Sequence, residues 1–239
     1  MSGANGKTAA TASLIWELKR HPFFEALTDE KLKGLLDAAQ SVVFGARKQI
    51  FSQGDESDCL YIILSGRVKI SSYSDAGKET VLAFMGENEV LGEMGVFDGG
   101  ARSAAASALQ ETRALRLYRR DVLDFLERNH GVALQIIAAL CTRLRHTNFL
   151  LEDIATLPAA PRLARALLRL GEYYGHVDDD GSLCIDMKLS QGNLGAHAGL
   201  MRENVNRQLK LWESEGLVRQ KAGVITVLKP ETLKHIGEE

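Results

Sequence analysis

The chain has 239 residues, 45% of them hydrophobic and 25% charged, with 29 Lys and Arg against 31 Asp and Glu for a formal net charge of −2. That length can bury the core of one large domain or two ordinary ones, the balance excludes a disordered chain, and near-neutrality excludes indiscriminate nucleic-acid binding while leaving room for a local basic face. No apolar run is long enough to span a bilayer, so no membrane partner is expected, and Cys59, Cys141 and Cys184 stand far apart with no CxxC pair and no histidine at ligand spacing, so neither a disulfide framework nor a metal centre is expected.

The opening "MSGANGKTAATAS", residues 1–13, is small and polar without an apolar segment, and reads as a disordered tail and not a signal peptide; the cytoplasm is the default location. From residue 14 to about Gln40, Leu14, Leu18, Leu27, Leu32, Leu35 and Leu36 recur at helical spacing, interrupted at "HPFF" by Pro22. Between Val42 and Tyr118 the pattern changes to short β-rich runs, "LYIILSGRVKI", "ETVLAFM" and "TRALRLY", separated by Gly- and Asp-rich turns. Many short strands of this kind imply an antiparallel barrel or sandwich, and residues 14–120 are read as this domain with its helical prologue.

Helical spacing returns at Asp121. Ile137, Leu140, Leu144, Thr147, Leu151 and Ile154 step by three and four residues in alternation, the period of a coiled-coil seam that asks for a second helix, so residues 121–157 are read as a dimerisation helix. The polar Thr147 in that seam has a bland explanation, the fixing of helix register. "TLPAAPR" ends the helix, since Pro158 and Pro161 cannot continue it, and Pro161 suits the first turn of the next.

Residues 158–239 form a second domain: an amphipathic helix, the acidic loop "HVDDDGS", a helical pair between Ser190 and Glu215, a hairpin and a last helix near Pro230. Ser190 caps the first helix of the pair, Leu194 and Ala198 give it an inner face, and Gly199 supplies the positive φ of a tight turn. In the second helix Val205, Leu209 and Trp212 face inward, while Arg202, Glu203, Asn206, Arg207 and Lys210 face out. Two helices joined by a glycine turn and followed by a hairpin make a winged helix-turn-helix. Arginine can bond guanine O6 and N7 together and glutamate can accept from the cytosine amino group, so this face, with Ser190 and Gln191 at the first helix's start, is the expected contact with double-stranded DNA. From Lys188 to Pro230 seven Lys or Arg stand against three Glu, a local +4 that suits phosphate contacts made by placement more than by bulk charge. The bland alternative is a solvated face on a structural helical pair.

Together these segments resemble the cyclic-AMP receptor protein and fumarate-nitrate regulator family of bacterial transcription factors. The resemblance covers nearly all of the chain beyond residue 20: a strand-rich roll, a long dimer helix, and "RENVNR", which is similar to the family's R-E-T-V-x-R recognition stretch. The family's phosphate-binding cassette, G-E-[LM]-G followed by R-S-A, is matched by Gly92, Glu93, Met94 and Gly95 and by Arg102, Ser103 and Ala104. A helix beginning near Gly92 offers unpaired N–H groups to a phosphate, Arg102 offers a fork of donors, and Ser103 adds a hydroxyl and an amide. The resemblance implies that Glu93 accepts the ribose 2′-hydroxyl and that Thr147 and Asn148 contact adenine, Thr147 within one subunit and Asn148 across the dimer. Asn148 departs from the commonest Thr-Ser pair, yet an amide both donates and accepts. The competing reading of Glu93 and Arg102 is an internal salt bridge closing a loop.

The fold expected is therefore α+β: a cyclic-nucleotide-binding β-roll, a coiled-coil dimer helix and a carboxy-terminal winged helix-turn-helix. The function expected is a homodimeric, cyclic-AMP-responsive regulator binding palindromic DNA, with RNA polymerase a further partner implied by the resemblance. Cyclic GMP or a cyclic dinucleotide is the alternative effector. No amino-terminal cysteine cluster precedes Cys59 and no histidine lies between His21 and His130, so neither an iron–sulfur cluster nor haem is expected. With one carboxylate and no histidine or metal cluster in the cassette, catalysis is not expected either.

Overall fold

In the computed structural model, residues 14–16, 18–19, 24 and 27–238 are described; the expected tail 1–13, His21 and the break at Pro22 lie outside them. The chain forms two compact units, the first running to Leu144 apart from Glu79–Val81, the second taking Arg145 onward together with those three residues.

In the first unit α1 (Asp29–Ala38) is capped by Thr28, whose hydroxyl accepts from the Lys31 amide, and buries Leu32 and Leu35. Eight strands follow: β1 (Gln40–Phe44), β2 (Gln49–Phe51), β3 (Cys59–Ser65), β4 (Val68–Tyr73), β5 (Glu79–Met85), β6 (Val90–Leu91), β7 (Ala105–Ala108) and β8 (Thr112–Tyr118). They build two four-stranded sheets, ordered β1-β8-β3-β6 and β2-β7-β4-β5. The continuous apolar run "CLYIIL" in β3 is explained by burial on both faces. Leu60 and Ile62 join Leu115, Leu117, Leu32 and Val122 under the helices, while Cys59, Tyr61 and Ile63 join Val68, Met85 and Ala106 inside the roll. A one-residue slip of β3 would exchange the two sets, so the register Tyr61↔Arg116 and Ile62↔Leu115 is set from both sides. The short α2 (Glu93–Asp98) interrupts the strands after β6.

The helical pattern that reads as one stretch from Asp121 is divided in the structure. α3 (Arg119–Arg128) ends at Asn129, whose φ of −138° and ψ of 62° leave the helix, and the Asn129 side chain donates to the Phe125 carbonyl at 2.8 Å. α4 (His130–Thr156) then runs for 27 residues. Asparagine can replace a turn's backbone bond with a side-chain bond, which is how it ends α3 without a proline.

The second unit holds the end of α4, then α5 (Ala159–Tyr174), β9 (Gly175–Val177), β10 (Leu183–Ile185), α6 (Gln191–Ala198), α7 (Arg202–Ser214), β11 (Val218–Lys221), β12 (Val224–Val227) and α8 (Pro230–Ile236). The acidic "HVDDDGS" stretch, read from sequence as a loop, is the arm and tip of a hairpin: β9 is the edge of a sheet ordered β11-β12-β10-β9. Asp153 near the end of α4 is buried between two arginines of α5, accepting from Arg165 at 2.9 Å and from Arg169 at 2.5 Å. Among the described residues no helix is long and apolar enough to cross a membrane.

Candidate functional site: an anion cassette and a DNA-reading helix

The cassette is built on close backbone approach. Gly92 caps α2 with φ of 79°, and a Cβ there would lie 2.2 Å from Nη1 of Arg102, so glycine is required twice over, by conformation and by space. Arg102 is only 5% exposed. Its Nη1 donates to the Gly92 carbonyl at 2.7 Å, its Nη2 to the Cys59 carbonyl at 2.6 Å, and its guanidinium lies 4.3 Å from the Phe51 ring centroid. Its Nε is buried without a hydrogen-bond partner. Burial pushes the neighbouring Cys59 thiol up and the Tyr61 hydroxyl up to about 12, so both are neutral at pH 7. Among the described residues Arg102 forms no ion pair with a carboxylate; its acceptors are the two carbonyls and the Cys59 sulfur at 3.5 Å, all neutral.

Glu93 does not close a salt bridge with Arg102. Also 5% exposed, it accepts from Nη1 of Arg143 on α4 at 2.5 Å, and Nη2 of Arg143 donates to the Val90 carbonyl at 3.0 Å. The internal pairing weighed in the sequence is thus replaced by one that ties the cassette to the long helix. Arg143 is a residue that sequence reasoning missed. The signal was present in its place one helical turn before Thr147, but "TRLRHTN" offers Arg145 as well, and only the tertiary fold selects between them. Met94 is exposed and its sulfur accepts from the Ser103 hydroxyl at 3.4 Å, while Ala104 is buried. The fold therefore brings Gly92, Glu93, Met94, Arg102, Ser103 and Ala104 to one place. Thr147 and Asn148 are exposed on α4, in the part of that helix belonging to the second unit.

The seam positions divide. Ile137, Leu144 and Leu151 are 54%, 61% and 67% exposed, an unusual amount of apolar surface for one helix. Leu140 instead lines an apolar cavity with Phe97, Phe125 and Ile136, and Ile154 packs against Gly199, so both are half-buried within their own chain. With Leu134, Cys141 and Asn148 also exposed, the open stripe runs 134, 137, 141, 144, 148, 151, which keeps the alternating period and shares Ile137, Leu144 and Leu151 with the expected seam, while Thr147, exposed as well, borders it.

In the second unit Ser190 caps α6 by accepting from the Asn193 amide at 3.0 Å, and Gly199 turns the chain with φ of 65°. Gly195 touches the turn itself, since a Cβ there would lie 2.7 Å from the Leu200 carbonyl oxygen. α7 buries Val205, Leu209 and Trp212 and exposes Arg202, Glu203, Arg207 and Lys210. Asn206 is half-buried and accepts from the Gln191 side chain at 3.2 Å, which joins the two helices of the pair. Arg207 donates to Asn204 at 3.2 Å. The wing turns at Ala222 and Gly223, both at positive φ, as a two-residue hairpin turn demands.

Comparison with known proteins follows the same division. Residues 41–129 match the cyclic nucleotide-binding domain family, and residues 161–236 match the Crp-like helix-turn-helix domain family. The chain is 34% identical to the cyclic AMP receptor protein of Thermus thermophilus over 92% of its own length and 98% of the relative's. It is 30% identical to the CRP-like cAMP-activated global transcriptional regulator of Mycobacterium tuberculosis, over 90% and 96%. Its fold is similar to the solved structure of FixK2 from Bradyrhizobium japonicum, with a TM-score of 0.75 at 20% identity, covering 83% of this chain and 96% of that one.

Proposed function

The chain belongs to the cyclic-AMP receptor protein and fumarate-nitrate regulator family, whose members are transcription regulators and not enzymes, and from that premise we propose that it is a homodimer that binds palindromic DNA when cyclic AMP occupies the cassette. The observation that carries this reading is Arg102: a buried cation with neutral acceptors and an unpartnered Nε, at the mouth of a helix held open by Gly92. A buried charge without a counter-ion is costly, and a singly charged cyclic phosphate is the ligand that would relieve that cost.

In this reading Arg102, the Ser103 hydroxyl and the first amides of α2 hold the phosphate, and Glu93 accepts from the ribose 2′-hydroxyl. Arg143, bonded to its carboxylate, keeps Glu93 aimed. Thr147 and Asn148 are assigned to the base by the sequence resemblance alone. The partner helix covers the exposed stripe of α4, which brings Asn148 to the seam. Ligand shifts the dimer toward its DNA-binding arrangement only by its differential affinity for that state. The two copies of α7 then enter successive major grooves, about 34 Å apart, with Arg202, Glu203 and Arg207 on base edges and Lys210, Ser190 and Gln191 on or near the backbone. RNA polymerase is the further partner, and the cytoplasm the compartment.

The test is calorimetric titration with cyclic AMP, followed by DNA binding with and without it at a fixed, stated salt concentration. Micromolar binding and a rise in DNA affinity are expected; absence of either ends the proposal. Asn148 supports a second reading with another effector, because it replaces the serine usual at that position. Cyclic GMP and a cyclic dinucleotide in the same titration separate the two, and Asn148→Ser is the variant that moves the preference.

A further inference from the structure

The second unit carries a group of donor side chains that neither nucleotide nor DNA recognition uses. In β10 the alternation is strict: Leu183 and Ile185 are buried, so Cys184 between them projects from the opposite face of the sheet. The antiparallel register sets Cys184 directly against His176 of β9, and residues two further along each strand return to the same face. Those residues are Asp186 after Cys184 and Asp178 after His176. The hairpin thus gathers a thiol, an imidazole and two carboxylates, although seven residues lie between His176 and Cys184 and no local motif links them.

We infer that His176, Cys184 and Asp186 form a binding site for a divalent transition-metal ion of the zinc type. One ligand atom from each of the three lies within 4.8 Å of the other two. Tetrahedral zinc with N and O ligands at about 2.0–2.2 Å and S at about 2.3 Å needs ligand atoms roughly 3.5 Å apart, so side-chain rotations of about 1 Å close the set. The surroundings also select the coordinating atom. In the metal-free structure both ring nitrogens of His176 face carboxylates, Nδ1 Asp186 at 2.7 Å and Nε2 Asp178 at 3.1 Å; when the ion binds, the Nδ1 proton leaves to solvent and Nδ1 becomes the lone-pair donor, while Asp178 keeps Nε2 as the N–H. A carboxylate behind a ligating imidazole is the arrangement that fixes ring orientation in metal sites. Thr226 of β12, opposite Cys184 on its other side, directs its hydroxyl to the sulfur at 3.9 Å. On binding, the Cys184 thiol proton leaves to solvent and the thiolate, neutral imidazole and carboxylate ligate the ion, with water in the fourth position. Thiolate with imidazole favours zinc, cobalt or nickel over magnesium or calcium, which prefer oxygen throughout.

The consequence is mechanical. β9 is a three-residue edge strand continuing directly from α5, and β10 pairs with the wing strand β12, so an ion here fastens α5 to the sheet that carries the wing. The ordinary alternative is a pair of exposed His–Asp contacts in which Cys184 takes no part.

The experiment is titration of reduced, untagged, metal-free full-length protein with cobalt(II), chosen as a spectroscopic probe for zinc. The expected result is one ion per chain with thiolate-to-cobalt charge-transfer absorption, displaced by zinc. Cys184→Ser and His176→Gln should each abolish that band and weaken binding on the order of 100-fold or more, Asp178→Asn should weaken it about 10- to 100-fold, and Cys141→Ser should leave it intact. Circular dichroism checks each variant's fold, and if Cys184→Ser misfolds the exposed His176→Gln carries the test. No thiolate band in the wild type, a band that survives Cys184→Ser or His176→Gln, or one lost in Cys141→Ser would overturn the inference.

Discussion

The two charged surfaces of this protein are made in opposite ways. In the sensing unit Glu93 and Arg102 are both buried, Glu93 against Arg143 and Arg102 against two backbone carbonyls. In the DNA-binding unit Arg202, Glu203, Arg207 and Lys210 are exposed on a helix whose stability comes from Val205, Leu209 and Trp212 on its other side. A small ligand that must be distinguished from its relatives needs donors set in place before it arrives, and presetting means that folding bears the desolvation cost. DNA brings a field of phosphates and a wide groove, so its contacts can stand in water until binding, and the fold owes them little. Substitutions in the first surface should therefore change stability and binding together, and those in the second should change binding alone.

The sharpest attempt to break this comparison is Arg102→Met. It leaves the Gly92 and Cys59 carbonyls without their donor, each at about 1–3 kcal/mol. Urea unfolding of the nucleotide-free protein should show that loss, and calorimetry should show cyclic AMP binding abolished; unchanged stability would make Arg102 a binding residue only. Next in size is the Glu93–Arg143 pair. A double-mutant cycle with Glu93→Gln and Arg143→Met should return a coupling of about 1–3 kcal/mol, toward the middle of the range because Arg143 is partly exposed. A coupling near zero would sever the cassette from the long helix.

On the other surface, Arg202→Ala should cost about 1–3 kcal/mol at one base pair and relax specificity there, while the unfolding free energy stays within about 0.5 kcal/mol of wild type. Uniform weakening across sequences would reassign Arg202 to phosphate. Ser190→Ala sits between the regimes, since its hydroxyl caps α6: about 1 kcal/mol of stability should go, read by thermal unfolding. The smallest effect is chemical. Cys59 is buried with its thiol pushed up and Cys184 is half-buried, so in the dimer, whose partner helix covers Cys141, a thiol reagent at neutral pH should modify Cys184 before Cys59.

Much of this was readable along the chain, and the residues show why. Gly92, Arg102 and Ser103 could be named because two short motifs resembling the family's cassette stand close together in the chain; the steric demand at Gly92 became visible only in the fold. Ser190, Gly199 and the face of α7 were legible for a different reason: a cap, a turn and a 3.6-residue period each depend only on near neighbours. Asn129 was not, because its side chain ends α3 through a bond that a helical pattern does not advertise. Leu140 and Ile154 satisfied the seam period as well as Leu134 and Cys141 do. The period says that a stripe exists, and only the chain's own packing decides which line of it is already covered.

Local patterning by itself gave a strand-rich domain, the long helix and the winged pair, because periodicity, capping and turn geometry are properties of adjacent residues; the roll and the chemistry of the cassette came from the family resemblance. Tertiary structure alone decided that Arg143 and not Arg145 meets Glu93, that Arg102 rests on carbonyls and not on Glu93, and that Cys184 faces His176. The first two join positions far apart in the chain and the third needs the register of a hairpin; helix rotation and strand register are settled only when the core closes.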